Sequence, residues 1–89
     1  MQIANVNKES ILTLLAGDGF TESVVRPTAP SEIIDVTHPE KEITMVLFLE
    51  GEKVVALSSK VNHSRYTDPE LYAMEEEFAD RFNQISAIA

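Results

Sequence analysis

The chain has 89 residues, enough for one domain with a single core and too few for a second catalytic domain. It holds no cysteine, which excludes disulfides, thiolate nucleophiles, iron-sulfur clusters and thiolate zinc sites together and points to a reducing, cytoplasmic setting. Acidic residues outnumber basic ones by 15 to 7 for a formal net charge of -8, so nucleic-acid phosphates and anionic lipid surfaces are disfavoured as partners and a basic protein surface is favoured.

The N-terminus has no basic segment followed by an apolar one, and the longest apolar run, residues 45–49, is too short to span a bilayer. The expectation is therefore a chain without targeting or membrane anchoring. The first structural signal is a helix start: Asn7 can cap free N–H groups, Val6 and Ile11 are placed as a hydrophobic staple, and Glu9 suits the positive helix end. Ile11, Leu14 and Leu15 recur at helical spacing, Leu12 widens the stripe, and Gly17-Asp18-Gly19 supplies a left-handed stop.

Residues 20–25 read as a short strand, after which Pro27 and Pro30 are expected to end pairing and leave a loop over 26–32. Residues 33–37 form a second predicted strand, 38–42 a polar turn, and 43–50 the strongest strand. Gly51 and Glu52 fit a two-residue hairpin loop, Gly51 taking the positive φ of a type II′ turn. This register pairs Glu50 with Lys53, Leu49 with Val54, Phe48 with Val55, Leu47 with Ala56 and Val46 with Leu57. One face then carries Ile43, Met45, Leu47, Leu49, Val54 and Ala56, and the other Val46, Phe48, Val55 and Leu57.

A polar loop over 62–67 leads to Asp68-Pro69-Glu70, read as a capping carboxylate, a first-turn proline and a second acid. Leu71, Met74, Phe78, Phe82 and Ile85 follow at spacings of three and four, predicting a long amphipathic helix with Glu75, Glu76, Glu77 and Asp80 on its outer surface. The expected fold is α+β: a single domain over 1–89, with an antiparallel sheet of three to four strands flanked by an N-terminal and a long C-terminal helix, in the order α-β-β-β-β-α.

No residue set carries catalysis. The imidazoles, His38 and His63, fall in predicted loops as solvated turn residues; Asp35, His38 and Glu40 could approach one another around the turn, but without a metal-binding spacing. Ser58 and Ser59, at a strand end, lack a nucleophile-elbow sequence, and Gly17-Asp18-Gly19 follows a helix where a phosphate loop would follow a strand. The sequence thus assigns no enzyme activity, no cofactor and no metal.

Two surfaces are candidates for binding another protein. Val46, Phe48, Val55 and Leu57 would form an exposed apolar patch if both helices pack on one sheet face, and a homodimer or a partner groove would follow. Glu75, Glu76, Glu77 and Asp80 offer an acidic surface for a basic partner. The leading reading is a small acidic protein-binding module acting as a regulator, chaperone-like adaptor or inhibitor. The alternative is a phage-type or toxin-associated inhibitor that imitates nucleic acid and blocks a DNA-binding protein, although Lys53, Lys60 and Arg65 interrupt any acidic track.

The order helix, Gly17-Asp18-Gly19-Phe20, strand, then Val46-Leu47-Phe48-Leu49-Glu50-Gly51-Glu52, Pro69-Glu70-Leu71 and Phe82-Asn83 resembles the first half of YbjN-type proteins, similar in architecture to type III secretion chaperones. Phe82 stands where that family often has tryptophan, and the second half of the family pattern is absent. The resemblance implies an α+β, often dimeric, non-enzymatic fold that binds or regulates another protein.

Overall fold

In the computed structural model, which describes residues 2–28, 31–61 and 64–88, seven elements follow in chain order: β1 (Gln2–Asn7), α1 (Lys8–Gly17), β2 (Glu22–Thr28), β3 (Ser31–His38), β4 (Ile43–Glu50), β5 (Lys53–Val61) and α2 (Asp68–Ile88). The α+β class agrees with the sequence reading, but the sheet has five strands, in the order β1-β5-β4-β3-β2 and antiparallel throughout. The added strand is β1. Its buried residues, Ile3 and Val6, lie three apart across a register irregularity, so the period-two alternation that marks a strand in sequence is absent.

The second departure concerns residues 26–32. β2 does not stop before Pro27 but continues to Thr28, with Arg26 opposite Ile33 and Pro27 opposite Glu32. β2 is an edge strand, where a residue lacking an N–H donor is tolerated. Pro30 lies outside the described residues.

The helix ends are set locally. The Asn7 side chain accepts the Glu9 N–H at 2.9 Å and starts α1. At the other end Asp18 closes the helix and Gly19 turns left-handed at φ 98°. The Gly19 N–H bonds the Ala16 carbonyl at 3.1 Å and the Phe20 N–H the Leu15 carbonyl at 3.0 Å, the two bonds of a Schellman stop, which places Phe20 in the core beside Leu15. The start of α2 differs from expectation. Thr67, rather than Asp68, makes the cap: its hydroxyl receives the Glu70 N–H at 3.4 Å, while the Glu70 carboxylate accepts the Thr67 N–H at 3.1 Å and hydroxyl at 2.9 Å. This reciprocal pair is a capping box, whose Thr-x-x-Glu signature is present at 67–70.

Both helices lie on one face of the sheet, over β1 and β5. The core they enclose contains Ile11 and Leu15 of α1, Phe78, Ala79 and Phe82 of α2, and Ile34, Val36, Ile43, Met45, Leu47, Leu49, Val54 and Leu57 of the sheet. The Ala4 N–H donates to Asn83 Oδ1 at 2.7 Å, and the Ser59 hydroxyl to Glu75 Oε1 at 2.7 Å, tying β1 and β5 to α2. Among the described residues no helix is long and apolar enough to cross a membrane.

Candidate functional site

The register of the 43–61 hairpin decides which side chains the outer face presents. Gly51, at φ 62°, makes the expected tight turn, and Glu50 pairs with Lys53 and Leu49 with Val54 as predicted. A bulge then intervenes: Phe48 faces Ala56, Leu47 faces Leu57 and Val46 faces Ser58. Val55 is the extra residue, and every position beyond it changes face relative to the simple register. Leu57, expected on the outer face, is therefore fully buried in the core, and Ala56, expected inside, lies outside.

Beyond the pair of Glu50 and Lys53 at the hairpin end, three cross-strand rows make up the outer face. By register Gln2, Ala56, Phe48, Ile33 and Arg26 form one, Ser58, Val46, Asp35 and Val24 the next, and Lys60, Thr44, Thr37 and Glu22 the third. Phe48 is 36% exposed and Val24 59%. Val46, in the middle row, keeps only 4% of its surface accessible although no helix lies over it. Val55, Ala56 and Ile33 are half-buried. Four of the polar members pair with one another: Arg26 Nη2 donates to Asp35 Oδ1 at 2.9 Å, and the Thr37 and Thr44 hydroxyls share a hydrogen bond at 3.1 Å. Val24, Ile33 and Ala56 were not legible as patch members, because the sequence did not fix how the predicted strands 20–25 and 33–37 pair with the hairpin, and the bulge hid the turn of Ala56.

Charge sets this face apart. By register Arg26, Lys53 and Lys60 on this face stand against Glu22, Asp35 and Glu50, so a chain of net charge -8 carries no acidic excess there. The acidity resides on the helices and turns. There the predicted acidic surface divides: Glu75 turns toward the sheet to accept the Ser59 hydroxyl, whereas Glu76, Glu77 and Asp80 are exposed. Successive helical residues are about 100° apart, so three consecutive glutamates cannot share one face.

His38 departs from its expected place as a solvated turn residue. It is buried, its ring meets Phe20 edge to face at 5.5 Å, and Nδ1 accepts the Lys41 N–H at 3.1 Å. Asp35 points to the outer face and His38 to the inner one, three residues along the same strand, which separates two of the three groups that the turn could have brought near one another. Among the described residues no group of three or more His, Cys, Asp or Glu side chains is placed to hold a metal ion, and His63 lies outside those residues. Among the described residues two ionisations are shifted. The Thr67 N–H and hydroxyl hold the Glu70 carboxyl below its ordinary value. The hydrogen bond to Asp18, assisted by the Asp18 and Glu77 charges and opposed by partial burial, raises Arg81.

Comparison with protein-family models, curated proteins and solved structures finds no match to this chain.

Proposed function

We propose that this chain is a non-catalytic protein-binding module whose contact surface is the outer face of its sheet, and that the first partner is a second copy of itself. The carrying observation is the one-sided placement of α1 and α2, which leaves Phe48, Val24, Ile33 and Ala56 without a covering element among the described residues. The balanced charge of that face supports self-association, because two chains of net charge -8 meet there with the least repulsion. A regulatory or chaperone-like role in the cytoplasm, and kinship with YbjN-type proteins, belong to the same proposal. The nucleic-acid-imitating alternative draws support from net charge and from the exposed Glu76, Glu77 and Asp80, while Glu75 is engaged by Ser59.

Sedimentation of the wild-type chain and of Phe48→Asp tests the proposal. A dimer that Phe48→Asp converts to a folded monomer is the expected result. A wild-type monomer at all concentrations removes self-association, and a dimer indifferent to Phe48→Asp removes this face.

A further inference from the structure

On the opposite side of the sheet from that face, the α1–β2 joint, the β3–β4 turn and α2 line an open cavity of about 660 Å³, a size suited to a small organic molecule, with Asp18 and Glu77 also in its wall. Its apolar walls come from Phe20, Ile43, Met74 and Phe78, with the Tyr66 ring closing one side. Phe20 and Phe78 pack edge to face at 5.7 Å, and the Arg81 guanidinium lies 5.3 Å above the Phe78 ring.

Three of the chain's seven basic residues, Lys41, Arg65 and Arg81, line this one opening. Two are answered. Arg81 pairs with Asp18 and feels Glu77, and Arg65 donates to the Glu40 carbonyl at 3.2 Å and reaches Glu42 at 3.8 Å. Lys41 has no carboxylate partner among the described residues, yet its backbone is held on both sides. Its N–H donates to His38 Nδ1 at 3.1 Å, and its carbonyl accepts the Tyr66 hydroxyl at 3.0 Å. Glu42, next in the turn, adopts a left-handed φ of 57°, a conformation that a residue with a side chain takes only at some cost. The turn is thus held at its backbone, strained at Glu42, and contributes Lys41, without a carboxylate partner among the described residues, to the lining of the cavity.

We propose that this cavity binds a small monocarboxylate bearing an aromatic body, the carboxylate on Lys41 and the ring against Phe20, Met74 and Phe78. The site is independent of the outer sheet face. The test is an amide-resolved NMR titration of the full chain with 3-phenylpropanoate, 3-phenylpropanol and 3-phenylpropylammonium at low salt. Saturating shifts at Gly19, Phe20, Lys41, Tyr66 and Phe78, with the carboxylate bound at least about fivefold more tightly than the alcohol, are expected. Lys41→Met should keep the native amide spectrum and erase that preference, while Phe48→Asp should leave the titration unchanged. Non-saturating shifts, equal binding of acid and alcohol, preference for the ammonium probe, or an unaltered preference in Lys41→Met would each overturn the proposal.

Discussion

Two glycines with positive φ separate backbone strain from steric clash. A Cβ on Gly19 would stand 2.7 Å from His38 Nε2, on a backbone at φ 98°, whereas a Cβ on Gly51 would meet nothing within 4 Å at φ 62°. Gly51→Ala should therefore cost about 1 kcal/mol, the left-handed penalty alone, and Gly19→Ala at least twice as much, because the buried His38 ring must move as well. Denaturant unfolding of both variants checks this, and equal losses would contradict the close approach. The capping box gives a second residue-scale prediction. Thr67→Ala removes a hydroxyl bonded to Glu70 and should destabilise by about 1 kcal/mol. Because folding lowers the Glu70 pKa, its stabilising contribution is complete above the unfolded-state pKa and lost as pH falls through the folded value. The gap between wild type and Glu70→Gln should accordingly narrow in acid, as read by thermal melts across that range.

At the scale of single elements, the bulge in β5 makes Leu57 and Phe48, which a simple register puts on one face, behave oppositely. Leu57→Ala empties a fully buried site and should cost about 2–5 kcal/mol, and Leu57→Asp should prevent folding. Phe48→Asp, on the half-open face, should leave the circular dichroism spectrum native. Had the hairpin kept a simple register, Leu57 would share the outer face with Phe48 and both aspartates would be tolerated. The turn itself was legible, since Gly51 announces its geometry, and so were β4 and α2, whose apolar spacing is long and regular. The bulge was not, because Val54-Val55-Ala56-Leu57 is apolar at every position and gives no alternation from which to fix a face. β1 was hidden for the opposite reason, too few apolar residues at the wrong spacing, and the tail of β2 because proline is read as a stop unless the strand is known to lie at an edge. The candidate surface was half legible in consequence: Phe48 and Val46 were placed on the correct face, and Leu57 was not.

Across the whole molecule, α1 and α2 meet each other as well as the sheet. Arg81 bonds Asp18 at the C-terminal end of α1 while lying over Phe78. The two charged groups are 36% and 32% exposed, so solvent screening limits the ion pair to about 1 kcal/mol or less. A double-mutant cycle of Asp18→Asn with Arg81→Met should return a coupling of that size, and a much larger value would mean that the pair also orders the cavity wall.

The strand order carries a further consequence, one of timing. Alternation across the sheet makes β1 and β2 run in the same direction at opposite edges, while β2 to β5 form a meander of neighbours. During synthesis β1 precedes every other described element, yet its only strand partner, β5, ends at Val61. A nascent chain can zip the meander hairpin by hairpin, but β1 must wait, unpaired, until the last strand has left the ribosome. In the finished protein the same edge should be the first to open, with the amides of β1 exchanging with solvent ahead of those of β4.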